Sequence, residues 1–593
     1  MPFVTPSGFV LPPGPVFLVR VLPGLLLPAV CAFVGLRYYA LVPIWQAAVG
    51  FVVTLIATPF VKALHKTISN KRAAARLGAV LPPVIRSAPG GFDLSAQIRN
   101  STRSGYLGDV FARWSEEYGN TYVLSFVNET RIFTTEPVHL KAVLATQFND
   151  FDKGPQLFEM FYSLLGRGVF NSDGDIWKYH RSMTRPFFNK ERISHFDNFE
   201  RHAENTLSQI RTRLRQGYPV DFQDAVSRFS LDSATEYLFG FDAKSSKADL
   251  VYPESSPLAN SQEFLNHSSI KFVKAFASGQ HWLALRTRGG PLWRLYEFWG
   301  DAVTPYRLAV DEFVNQFLDD ALAKKAADSK AGVGKTDDDS LLHYLVEHTD
   351  DRTILNDEMI NLLVAGRDTT TSLLTFSVYH ICEYPHIAKR LRDEIMEHIG
   401  LSKRPDYDDI RNMKYMRAFL QEVLRLYPSV PINSRTANKA TTLPSADPSK
   451  PPVFVPDGAR IGYSVFLMHR RTDLWGPDAN TFDPDRFLDE RLHKYLIPNP
   501  FIFLPFNAGP RICLGMQFAY NEASFFLVKL LQQFSDFTFA PDAQPLWSLA
   551  PPSWAKEPGT KGRDKIRMDN GLTMSLRGGL WIRMKEIEAS QLS

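Results

Sequence analysis

The stretch "FNAGPRICLG", Phe506 to Gly515, sets Cys513 between a glycine-marked loop and an apolar helix pattern. Gly509 and Gly515 permit close or left-handed backbone, and Pro510 limits the loop between them. The helix pattern starts just past the cysteine, so its sulfur sits near backbone N–H groups that can stabilise a thiolate. A thiolate held in a compact loop suits the axial position of a metal; with no companion ligand nearby, tetrahedral zinc does not fit. Cys31, in an apolar run, and Cys382, in a helical pattern, read as small buried hydrophobes. Three scattered cysteines without a CxxC pair exclude a disulfide framework. Two more groupings carry charge in helical patterns: "AGRDTT", Ala365 to Thr370, and Glu422 with Arg425, three residues apart and so on one helix face.

These residues need a large scaffold, and a chain of 593 residues, 45% hydrophobic and 22% charged, can bury one. From Phe92 onward the pattern is mainly α with a minor β portion. Long helices are expected at 195–214, 291–327, 355–384 and 388–400, and strands at 120–135 and 572–585. No regular repeat supports a solenoid. "GVGKT" at 332–336 resembles the end of a phosphate-binding loop, but that pattern needs glycine where Ser329 stands, and three aspartates follow. Residues 324–340 therefore read as a solvated linker.

The front end differs from the body. No Asp or Glu precedes Asp93, whereas Lys62, Lys66, Lys71, Arg72, Arg76 and Arg86 follow two apolar runs, 21–36 and 38–61. The second run is long enough to cross a bilayer and the first is short for a full span, leaving a hairpin or a single span after an interfacial segment. Tyr38, Tyr39 and Trp45 are candidate interface anchors. Positive residues after the second run place the body on the cytoplasmic side. The sequons at Asn100 and Asn128 would argue for the lumen, but such tripeptides are common by chance. Expected boundaries are a membrane anchor at 1–61, a basic and Pro/Gly-rich hinge at 62–91, the main body at 92–585 and a tail at 586–593. The basic cluster is not accompanied by any nucleic-acid-reading motif.

On Phe506, Gly509, Arg511, Cys513 and Gly515, with "AGRDTT", "FLQEVLRLYP", "FDPDRF" and "WKYHR" in order, the chain resembles a cytochrome P450. "RLYPSVPINSR" narrows this to fungal membrane-bound enzymes of the alkane and fatty-acid hydroxylating group and their basidiomycete relatives. The resemblance implies the P450 fold, haem b, and Cys513 as the axial iron ligand. It implies that Gly366 leaves room for dioxygen while Asp368 and Thr369 relay protons, with Arg367 pointing away from the pocket. It also implies that Trp177, Arg181, Arg435 and Arg511 hold the propionates, and that Arg486 joins Glu422 and Arg425 in a structural cluster. Substrate contacts transferred from the family layout are Phe158, Phe161, Leu362, Ala365, Val430, Ile432, Leu572 and Thr573.

The implied reaction inserts one oxygen atom from O2 into a long-chain alkane, fatty acid or aromatic compound at the endoplasmic reticulum membrane. Electrons come from NADPH through NADPH-cytochrome P450 reductase, with cytochrome b5 as a possible helper, because nothing in the chain looks like a flavin or dinucleotide domain. Two alternatives stay open: a specialised P450 oxidising a terpenoid or other secondary metabolite, and a non-catalytic membrane-bound haem-binding sensor or scaffold. Intact Asp368 and Thr369 speak against the second, since ligation alone needs no proton relay.

Overall fold

A computed structural model describes residues 11–126, 129–193, 196–259, 262–331 and 340–587. Two helices come first, Pro13–Val34 and Ile44–Arg76, packed side by side and connected through a π-helical turn at Gly35–Tyr39. Both are long and apolar enough to cross a membrane. The run at 21–36 thus belongs to a longer helix than its apolar core suggests. Pro23, Pro28 and Pro59 lie inside these helices, where a packed neighbour and local π adjustment tolerate them. The basic residues from Lys62 to Arg76 continue the second helix, so the boundary expected at 61 falls within one element.

The hairpin is pinned to the body. Gly14 N–H donates to Phe298 O at 3.0 Å, Arg20 pairs with Glu159 at 2.8 Å, and Lys66 Nζ donates to Thr130 Oγ1 at 2.8 Å. Lys62 Nζ closes the hairpin itself through Gly24 O at 2.6 Å. The Pro/Gly-rich stretch is no free hinge either: Val84 bridges Val123, and Ile85 N–H donates to Val123 O at 3.0 Å. Adjacent prolines favour extended backbone, which here extends a sheet edge.

The body is mainly helical with a minor β portion. Its main sheet runs Thr121–Phe126, Glu129–Thr134, Arg460–Ser464, Ile432–Ala437, Phe151–Asp152 in spatial order, antiparallel except between the second and third strands. Most expected elements stand within a few residues, as Asp197–Arg215, Pro385–His398 and the C-terminal strands Met574–Leu576 and Trp581–Glu586. The helix expected at 291–327 instead divides into Trp293–Tyr296 and Thr304–Ala331. Arg286 reaches Glu297 Oε2 at 2.6 Å and Asp301 Oδ1 at 2.7 Å, and this buried ion network holds the intervening segment outside a helix. The linker expected at 324–340 begins as helix up to Ala331; residues 332–339 and Asn128 lie outside the described residues.

One long helix crosses the centre of the body: Arg352–Leu363, a π-turn at Val364–Asp368, then Thr369–Glu383. Asp351 caps its start, accepting from Thr353 N–H at 2.9 Å. Its first turns bind the loop 166–171 side chain by side chain. Asp357, Glu358 and Asn361 accept from the N–H groups of Arg167, Val169 and Phe170 at 2.8, 3.0 and 3.0 Å. The helix Met516–Gln533 follows the cysteine loop and is buried along most of its length.

Candidate active site

The cysteine loop is closed by Cys513 N–H donating to Phe506 O at 3.0 Å, and Met516 opens the next helix three residues on. Gly509 has φ +69°, and a Cβ there would run into Leu144 O, so glycine is required. Gly515 differs from expectation: its φ is −84°, and a Cβ would make only ordinary contact with Phe188 at 3.5 Å. The sulfur reaches an interior cavity of about 270 Å³. It is accessible from that cavity yet deep within protein atoms. Burial therefore pushes the thiol up, against the Gly515 N–H and the Arg181 charge, which favour thiolate.

Trp177, Arg181, Arg435, Arg511 and Phe506 border the same cavity, as does Lys153, which sequence reasoning missed. Arg511 lies over the Trp177 ring at 4.3 Å and donates to Asp173 Oδ1 at 2.7 Å; Arg435 donates to Ser434 O at 2.8 Å. Burial, then repulsion from Arg435 and Arg511, pushes Lys153 down to about 7, with Asp173 pulling the other way. Burial likewise lowers Arg511 to about 10. Three cations thus crowd together with Asp173 and Asp152 as the opposing carboxylates, and Arg511 Nε is buried without a hydrogen-bond partner. A flat dianion beside a sulfur ligand fits this donor set, as haem with its two propionates would be.

Behind the cysteine loop, Glu422 and Arg425 are 0% exposed and Arg486 1%. Arg425 Nε donates to Glu422 Oε2 at 2.6 Å and Nη2 to Oε1 at 2.7 Å, while Arg486 Nε approaches Oε1 at 3.7 Å. Arg486 bonds mainly to Asp478 and to the Trp475 and Asp478 carbonyls, so it stands beside the pair more than in it. His469, also missed, extends the cluster to the loop. Its Nδ1 meets Arg425 O at 3.0 Å and its Nε2 accepts from Leu504 N–H at 3.0 Å. Burial holds this ring neutral, pushing its pKa down to about 3.

On the opposite wall the central helix presents Leu362, Ala365, Gly366 and Thr369. Thr369 Oγ1 donates to Ala365 O at 2.6 Å. Gly366 borders the cavity, and a Cβ there would stand 3.1 Å from Ala234 Cβ, so the missing side chain also makes room for the helix Phe222–Phe239. Asp368 does not reach this cavity. It borders a second, more polar one of about 340 Å³, shared with Asp221, Asp224, His281 and Asp569. Its Oδ2 accepts from Gln280 Nε2 and its Oδ1 from Arg367 Nη1, both at 2.6 Å. Arg367 points away from the sulfur cavity, as expected, and donates to Ser227 Oγ at 2.5 Å. Burial pushes the Asp368 carboxyl up, against Arg367 and Gln280.

Of the transferred substrate positions, Leu362, Ala365 and Val430 border the sulfur cavity and Thr573 borders the polar one. Phe158 packs on Tyr162, Ile432 opens a strand opposite Ser464, and Phe161 and Leu572 pack against the core. Val169, Phe170, Phe188 and Leu238 border the sulfur cavity without having been foreseen; only their apolar character hinted at it.

The family model described as Cytochrome P450 matches residues 96–559. Similar curated proteins are fungal. Cytochrome P450 52A3-B of Candida maltosa is 35% identical, covering 82% of this chain and 93% of its own. Cytochrome P450 52A6 of Candida tropicalis is 34% identical, covering 83% and 92%. Cytochrome P450 monooxygenase g430 of a Fusarium species is 36% identical, covering 72% and 74%. With the cysteine loop, the crowded cations and the central helix around one cavity, these matches establish that the chain belongs to the cytochrome P450 family.

Proposed function

We propose that this monooxygenase hydroxylates long-chain alkanes, fatty acids or aromatic hydrophobes. The carrying observation is a single, mostly apolar interior cavity that holds Cys513 on one wall and Thr369 on another, with Lys153, Arg435 and Arg511 gathered at its edge. An apolar pocket with few polar groups rewards greasy ligands.

Haem bound here supplies oxygen activation and C–H chemistry, using two electrons that originate from NADPH. Cys513 would supply the sulfur ligand to its iron, and the neighbouring Arg181 and Gly515 N–H favour the thiolate. Trp177, Arg181, Arg435, Arg511 and Lys153 would hold its propionates. Leu362, Ala365 and Val430 orient the substrate and exclude water. Thr369 supplies a hydroxyl at the cavity wall, and Asp368 takes protons from the polar cavity and hands them across the same helical turn after leaving Gln280. Arg425, paired with Glu422 and flanked by Arg486, holds the cysteine loop in place through His469.

The anchor contacts support a hairpin whose two ends lie on the side of the body, since Gly14, Arg20 and Lys66 all bond to it. This reading places the body on the cytoplasmic face of the endoplasmic reticulum. NADPH-cytochrome P450 reductase in the same membrane is the electron donor, and cytochrome b5 assists it.

The test is the ferrous, carbon monoxide-bound difference spectrum of the wild type and of Cys513→Ala, followed by reconstitution with reductase and three substrate sets: fatty acids, alkanes and polycyclic aromatics. A thiolate spectrum lost only in the variant, with product from at least one set, is expected. Turnover of none of the three, despite a thiolate spectrum, would sink the substrate assignment.

A further inference from the structure

Away from the haem cavity, the helices Asp197–Arg215 and Phe222–Phe239 meet around one imidazole. His202 is 1% exposed and its Nε2 meets Glu236 Oε2 at 2.6 Å; the other oxygen of Glu236 pairs with Arg201 Nη2 at 2.8 Å. That carboxylate fixes the ring. The remaining nitrogen, Nδ1, is buried and has no hydrogen-bond partner. One ligand atom each from His202, Asp232 and Asp242 lie within 4.8 Å of one another.

The two aspartates are held in place by backbone groups of the loop after Phe239. Asp232 accepts from Ser245 N–H at 2.7 Å and Ser246 N–H at 3.0 Å, and Asp242 Oδ1 accepts from Lys244 N–H at 2.7 Å. These bonds use one lone pair on each oxygen, leaving others free.

We propose that His202, Asp232 and Asp242 form a binding site for a divalent transition-metal ion. A histidine whose far nitrogen is bound by a carboxylate is the arrangement that fixes the tautomer and aim of a metal ligand, and Glu236 does this here. One imidazole nitrogen with two carboxylate oxygens suits Zn2+, Mn2+ or Co2+, whereas Ca2+ and Mg2+ favour oxygen-only shells. Asp232 and His202 are buried and Asp242 is half-buried, so the ion would enter from the Asp242 side. Bound there, it would tie two helices and a loop together. One of those helices carries Ala234, which packs on Gly366, so the ion would stiffen the outer support of the haem cavity.

The test uses detergent-solubilised full-length holoprotein, whose Cys513 is engaged by haem, treated with chelator and titrated with Zn2+. Calorimetry and metal content after dialysis are read, with Co2+ absorption as a second probe. One retained equivalent is expected in the wild type. Asp242→Asn, on a half-buried loop, should weaken binding at least tenfold, and Glu236→Gln by about 10–100-fold, with haem content unchanged. Thermal unfolding should shift upward with Zn2+ in the wild type alone. No retained ion, or equal affinity in the wild type and Asp242→Asn, would overturn the site; the latter would leave His202 as a buried partner of Glu236 only.

Discussion

Behind the cysteine loop, the groups that hold it are closed into pairs: Glu422 with Arg425, His469 between Arg425 O and Leu504 N–H, Cys513 N–H with Phe506 O. On the side of the central helix, buried carboxyls are pushed up instead. Asp368 leans on Gln280 and Arg367, and Glu522, brought to about 7 by burial, is held only by the hydroxyls of Ser233 and Thr370. A ligand loop must not move, whereas a proton path needs groups whose surroundings favour their carrying a proton. The loop that presents the sulfur and the buried surroundings of the central helix meet these opposite demands with different polar chemistry.

The comparison breaks most sharply at the sulfur. Cys513→Ala should abolish turnover and the thiolate-type carbon monoxide spectrum while the fold persists by circular dichroism. Next in size, Glu422→Ala leaves Arg425 as an uncompensated buried charge and should cost about 3–5 kcal/mol, read as a lower yield of folded holoprotein and a lower unfolding temperature. Changes on the other wall should spare the haem. Asp368→Asn should slow product formation by about 10²-fold, and Thr369→Ala should divert reducing equivalents to released hydrogen peroxide, both with an intact carbon monoxide spectrum. Unchanged coupling in Thr369→Ala would remove that residue from the relay.

The smallest effect concerns pH. Glu522 binds its proton more tightly in the fold than its ordinary value of 4.5 allows, so its protonated form is the one the fold favours. Stability should fall as pH rises from about 4.5 to about 7, by up to about 3 kcal/mol from this group. Glu522→Gln should flatten that part of the curve. Asp221 and Glu358, also raised to about 7 by burial, act in the same direction and leave a residual slope.

Much of the cysteine wall was legible because its constraints are local. Gly509 and Cys513 lie four residues apart, and Glu422 and Arg425 are one helical turn apart. What escaped depends on distant partners. Lys153 is one lysine in an unremarkable segment until the fold sets it beside Arg435 and Arg511, and Gln280 meets Asp368 across 88 residues. Gly366 was legible as a glycine, but only the crossing helix shows that Ala234 also claims space beside it. The helix break between Tyr296 and Thr304 was hidden for the same reason, since Arg286 lies on another helix.

The paired rods at the front of the chain have a mechanical consequence. A globule on a single flexible leash can spin about it and offer any flank to its surroundings. Held instead through Gly14, Arg20 and Lys66 on two joined rods, it keeps one heading relative to those rods, so whatever fixes the rods also fixes the flank the globule offers.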